Sequence, residues 1–309
     1  MKILLAVDGS RYSEMSAKTL KAFGLPSKTK VTVMTVVSEH TFLGGLTLHA
    51  FRREATMRER ARTSQEEKAS RLVEGPAGSL RDAGLQVQTL VERGRPAEVI
   101  IQQADKMGAD LIVVGAKGTD SSPRFQLGSV SHKVMKYART SVLLVREGTS
   151  RARRVFLATD GSRHAEAAAK FILTLPLPRQ SLIILVTSLQ SYVGALMKMP
   201  TLDLETNQKL LAELQAAEEQ AARSLMAKTE RQLHEKGYQV ESLVLRGDPA
   251  EEILLAAKTL NPDLIVLGAK GLTGIETFLL GSVAQRVARF SRYSVLLVRP
   301  ADKLSAAQD

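Results

Sequence analysis

The chain has 309 residues, room for about two domains, and 44% apolar with 24% charged residues argues for packed cores and against disorder. It has no cysteine, which excludes disulfides and thiolate metal sites, and its five histidines share no ligand spacing, which argues against zinc. The net charge of +11 admits an anionic partner, yet Arg58, Arg60 and Arg62 alternate with Glu59, Glu66 and Glu67, and 4% aromatics without Trp make no base-stacking platform, so no nucleic acid is expected.

In chain order, residues 2–7 form a short apolar strand that ends at Asp8-Gly9-Ser10, a turn able to cap the helix running to about residue 23. Residues 30–37 are a β-branched strand. A long charged amphipathic helix over 50–74 follows and is expected to break at Gly75-Pro76. A third strand covers 86–92. Pro96 opens a helix, where its missing N–H costs nothing. The apolar run 110–114 suits a strand covered on both faces. A glycine-punctuated loop then leads to a helix from about Ser129, and 141–146 closes the unit.

The unit then recurs. ILLAVDGS at 3–10 returns as VFLATDGS at 155–162, RGRPAEVI at 93–100 as RGDPAEEI at 246–253, and SVLLVR at 141–146 unchanged at 294–299. Laying 110–146 on 263–299 without gaps gives 21 identities in 37 positions, which makes this a duplication. Strands are expected near 154–159, 181–187, 238–245, 263–267 and 294–298, with a long helix over 204–236. The fold class is α/β: two tandem doubly wound domains, 1–147 and 152–300, each a five-stranded parallel sheet with helices on both faces. No run approaches the roughly 20 apolar residues that span a bilayer, and the start lacks a cleavage signal, so a cytoplasmic protein without a membrane partner is expected.

The chemistry is expected beyond the carboxyl ends of the strands. After the fourth strand of each half comes G-x2-G-x9-G-S: Gly115, Lys117, Gly118, Gly128 and Ser129, then Gly268, Lys270, Gly271, Gly281 and Ser282. Glycines let main-chain amides approach phosphate oxygens, and a helix start favours an anion. The serine can cap that helix and donate to a phosphate, and the lysine adds a charge. The nine-residue inserts, TDSSPRFQL and LTGIETFLL, differ while the frame stays fixed, as a binding loop would. There is no Walker pattern, so fast P-loop hydrolysis is not implied. Asp8 and Asp160, ending the first strands, suit a ribose hydroxyl or an adenine amine, with helix capping as their structural alternative.

Taken together, V-D-G-S, G-x-P-A-x-x-I, G-x2-G-x9-G-S and S-V-L-L-V resemble the universal stress protein family across almost all of both halves. The resemblance implies an adenine nucleotide alpha hydrolase-like fold and the loop spacing of the ATP-binding branch. It implies that Asp8 and Asp160 hold adenine or ribose, and that Val36 and Thr187 offer main-chain groups to adenine. Gly115, Lys117, Gly118, Gly128, Ser129 and Val130 would wrap ribose and phosphates in the first half. Gly268, Lys270, Gly271, Gly281, Ser282 and Val283 would do so in the second. Pro123 and Arg124 stand where the second half has Glu276 and Thr277, so the halves are free to differ in affinity.

The expected function is a nucleotide-dependent stress-response or regulatory protein with little or slow hydrolysis, magnesium or manganese accompanying the triphosphate. The last strands are expected to dock the halves as an intramolecular pseudo-dimer, leaving a further homodimer open. The alternatives are a slow ATPase or related nucleotide-processing enzyme, and a scaffold without nucleotide. No nucleophile–base pair beside the loops supports the enzyme. The long helices and the segment with Met197 and Met199 differ most between halves and are where a partner would be read.

Overall fold

A computed structural model describes residues 1–38, 54–119, 127–146, 152–178, 180–189, 204–272 and 280–300, with the main chain alone at 54–63 and 204–208. Pro123, Arg124, Met197, Met199, Glu276 and Thr277 lie outside the described residues. The chain divides between Ser150 and Arg151 into two compact units.

The first unit runs β1 (Lys2–Ala6), α1 (Arg11–Ala22), β2 (Lys30–Val37), α2 (Glu54–Arg81), β3 (Gln86–Arg93), α3 (Pro96–Met107), β4 (Leu111–Gly115), α4 (Ser129–Tyr137) and β5 (Ser141–Val145). Its strands lie in the order β3-β2-β1-β4-β5, with every pair parallel. The second unit runs β6 (Arg154–Ala158), α5 (Arg163–Thr174), β7 (Leu182–Leu189), α6 (Leu204–Glu235), β8 (Gln239–Arg246), α7 (Pro249–Leu260), β9 (Leu264–Gly268), α8 (Ser282–Phe290) and β10 (Ser294–Val298). Its order is β8-β7-β6-β9-β10, again all parallel. In each unit the first two helices pack together and the last two pack together, one pair to each face of the sheet. This is the doubly wound architecture expected from the sequence.

The central strands are apolar throughout because both their faces are covered. Ile3, Leu4, Leu5, Ile112 and Val113 have no exposed surface, nor have Phe156, Ile265 and Val266. Each such side chain contributes roughly 1.5–3 kcal/mol through burial. The winding reverses where β1 meets β4 and where β6 meets β9. The exits of those strands carry the aspartates and the glycine loops.

One predicted break is absent. α2 continues through Gly75 and Pro76 to Arg81, with Pro76 inside the helix. Val73, Ala77 and Leu80, three or four residues apart, are buried along one stripe. Their packing outweighs the one main-chain bond that proline removes.

Candidate functional site

Asp8 follows β1 by two residues and is exposed at the strand exit. Its Oδ1 accepts the Ser10 N–H at 3.0 Å and the Ser13 hydroxyl, while its own N–H donates to Ser13 Oγ at 2.9 Å. Its Oδ2 accepts the Thr119 N–H at 3.2 Å. The carboxylate thereby ties the Asp-Gly-Ser turn to the loop after β4, far away in sequence. Asp160 repeats this, accepting Ser162 N–H at 3.0 Å and Leu272 N–H at 3.1 Å. Neither aspartate caps the following helix. Ser10 and Ser162 do, accepting the N–H of Ser13 and Ala165. The same two hydroxyls reach the carbonyls of Lys117 and Lys270, each at 3.4 Å.

The loop glycines have separate reasons. A Cβ on Gly115 would lie 2.6 Å from Tyr12 Cβ, and one on Gly268 would lie 2.6 Å from the His164 carbonyl carbon, so both are needed where a helix crosses the strand end. A Cβ on Gly118 or Gly271 would lie 2.5 or 2.6 Å from Oδ2 of Asp8 or Asp160. These two glycines admit the carboxylate to the loop. Gly128 and Gly281 bring the loop back, donating to the Ala116 and Ala269 carbonyls at 2.8 and 2.7 Å. A Cβ on Gly281 would press to 3.3 Å from Lys270 Cα, so the returning chain lies close against the departing one.

Ser129 and Ser282 were expected as caps, but they are the first residues inside α4 and α8. The N-cap positions belong to Gly128 and Gly281, with no side-chain cap bond. The amides at Ser129, Val130, Ser282 and Val283 lie in first helical turns, where no preceding carbonyl can satisfy them. Neither first turn carries an acidic residue that would oppose an anion. Ser129 and Ser282 are exposed, and Val130 and Val283 are half-buried, as are Lys117 and Lys270.

Val36 and Thr187 do not occupy matching places. Val7 N–H donates to the Met34 carbonyl and Thr159 N–H to that of Val186, each at 2.8 Å, which aligns Met34 with Val186. The counterpart of Val36 is therefore Ser188, and that of Thr187 is Thr35. A one-residue slip in a strand reverses the side-chain face. Thr35 and Thr187 are both buried.

Further residues around the mouths lie outside the glycine-loop motif that sequence reasoning singles out. Ser13 holds Asp8, accepting its N–H at 2.9 Å and donating to its Oδ1. Ser131 is buried and donates to the Ala116 carbonyl at 2.9 Å, holding the loop's start against α4. Arg146 and Arg299, the repeated final residues of SVLLVR, directly follow β5 and β10. Val145 and Val298 there accept the Ala116 and Ala269 N–H groups at 2.9 and 2.8 Å. Burial lowers the Arg146 pKa against an opposing effect of Tyr12, and burial pushes Arg299 down to about 10. Both guanidiniums remain cationic at neutral pH. Identity of the motif in both copies was the available signal.

Each unit thus places a carboxylate, glycine-lined main chain and an open helix start at one sheet mouth. The family model of the universal stress protein family matches residues 1–146 and 151–299. A universal stress protein of Methanocaldococcus jannaschii is 32% identical over 162 residues, covering 52% of this chain and 89% of the relative. One from Mycolicibacterium smegmatis is 29% identical over 248 residues, 76% of this chain and 78% of the relative. The crystal structure of a universal stress protein from Archaeoglobus fulgidus shares the fold with a TM-score of 0.62, at 20% identity and 96% coverage of both chains. The chain belongs to the universal stress protein family, as a tandem member carrying two copies of its domain. Among the described residues no helix is long and apolar enough to cross a membrane.

Proposed function

We propose that each half binds ATP at its sheet mouth and that the protein acts as a nucleotide-dependent stress-response or regulatory protein with little or slow hydrolysis. The observation carrying this reading is the paired bridge from Asp8 to Thr119 and from Asp160 to Leu272, which brings the carboxylate onto the glycine loop in both halves. An exposed carboxylate accepts a nucleoside hydroxyl or amine. The loop amides and the open first turns of α4 and α8 would donate hydrogen bonds to phosphate oxygens. The Lys117 and Lys270 ammonium groups add positive charge beside them. Gly128 and Gly281 add no side chain where each loop returns to its helix start. A magnesium or manganese ion would accompany the triphosphate, held through its oxygens.

Titration calorimetry with Mg-ATP is expected to give two sites per chain, and mass spectrometry of the purified protein to show bound adenine nucleotide. Asp8→Ala and Asp160→Ala should each remove one site. Titration with no heat for ATP in the unmodified protein, or two intact sites in the doubly substituted one, would refute the assignment. Turnover should stay below about 1 per second, the lower edge of ordinary enzyme rates.

A further inference from the structure

The two mouths share their frame but differ at buried positions, among them Ser131, where the second half has Ala284, and Ser13, where it has Ala165. Ser13, one turn into α1, is 3% exposed. Its Oγ accepts the Asp8 N–H at 2.9 Å, donates to Asp8 Oδ1, and lies 3.3 Å from Ser10 Oγ. One hydroxyl therefore holds Asp8 by its main chain and its side chain together. The cap bonds identify the counterpart: Ser10 accepts the Ser13 N–H at 3.3 Å, and Ser162 accepts the Ala165 N–H at 3.2 Å. Ala165 has a methyl group there and can make neither bond to Asp160, which keeps its two amide contacts from Ser162 and Leu272.

We infer that Ser13 is a positioning residue that fixes Asp8 for ligand, making the first half the tighter nucleotide site and the one filled first. This rests on the ATP reading above. A carboxylate offers about four acceptor positions. Ser10, Ser13 and Thr119 occupy three around Asp8, leaving one on Oδ2, the oxygen turned to the glycine loop. That remaining acceptor is held in place before ligand arrives. Asp160 lacks the hydroxyl clamp and must give up side-chain freedom on binding, a cost that pre-organisation removes. A bond from a hydroxyl to a charged group is strong enough for its loss to weaken binding by roughly tenfold.

The test uses full-length chains in which one half is silenced. With Gly271→Val leaving only the first half, Ser13→Ala is expected to weaken ATP by about tenfold, and Ser13→Thr, which restores a hydroxyl, to recover most of it. Inorganic triphosphate, which has no nucleoside for Asp8 to hold, should bind Ser13→Ala as tightly as its parent. With Gly118→Val leaving only the second half, Ala165→Ser should tighten ATP several-fold. Ala165 itself shows that alanine fits this place in the fold. An unchanged ATP affinity in both Ser13→Ala and Ala165→Ser, or equal weakening of ATP and inorganic triphosphate, would overturn the inference alone. Absence of any ATP binding in the unmodified protein would overturn the reading beneath it as well.

Discussion

A methyl group at Gly115 meets Tyr12 Cβ at 2.6 Å and Tyr12 main chain at 3.0 Å, atoms that cannot move without shifting α1. A methyl group at Gly118 meets only the end of a carboxylate, at 2.5 Å. The two substitutions should therefore separate stability from binding. Gly115→Ala is expected to cost about 1–3 kcal/mol of unfolding free energy, as overpacking does. Gly118→Ala should change stability by much less while displacing Asp8 and losing ATP affinity in the first half. Chemical denaturation and calorimetry on the same pair check both outcomes. The spacing G-x2-G marked both glycines correctly as special but treated them as one kind. Which one faces a helix and which faces a carboxylate depends on Tyr12 and Asp8, about a hundred residues away. Val36 and Thr187 stand one residue out of register for a local reason: VTVMTVV and LIILVTSL share too little to align the second strands, and only the bonds to Met34 and Val186 set the correspondence.

At the scale of elements, the central strands were plain in the sequence because buried parallel strands are continuous apolar runs, and α3 was announced by Pro96. The course of α2 was not, since its continuation depends on what Val73, Ala77 and Leu80 pack against. Pro76→Ala should restore a main-chain donor inside this helix and raise the thermal midpoint, the equivalent of about 1 kcal/mol or more. A lowered midpoint would mean that proline's restriction of the unfolded chain dominates. The starts of α3 and α7 also differ. Asp248 caps α7, accepting the Glu251 N–H at 3.0 Å, and pairs with Arg286 at 2.8 Å, whereas Arg95 makes no side-chain cap on α3. The cap bond first, and Arg286 after it, hold the Asp248 carboxyl below its ordinary value of 3.8. Its stabilisation is therefore present above about pH 3.8, the unfolded value, and is lost as pH falls through the lower folded one. Asp248→Ala should cost about 1 kcal/mol at neutral pH. It should also flatten this part of the acid dependence, read from denaturation at stepped pH, while Arg95→Ala leaves it unchanged.

Across the whole molecule, the duplication was the easiest feature to see and has the widest consequence, because it places two similar mouths in two compact units. A ligand that binds only the folded state stabilises by RT ln(1 + [L]/Kd), about 2.7 kcal/mol at a hundredfold excess over Kd. Each unit has its own core, so ATP should slow hydrogen exchange at β1 and β4 through the first mouth and at β6 and β9 through the second. Gly271→Val should abolish the protection at β6 and β9 and leave that at β1 and β4, because its Cβ strikes Asp160 at 2.6 Å, within the second mouth. Loss of protection in both units from that one change would mean that the mouths are energetically coupled. Persistence of protection at β6 and β9 would mean that ATP stabilises the second unit from somewhere other than the Asp160 mouth.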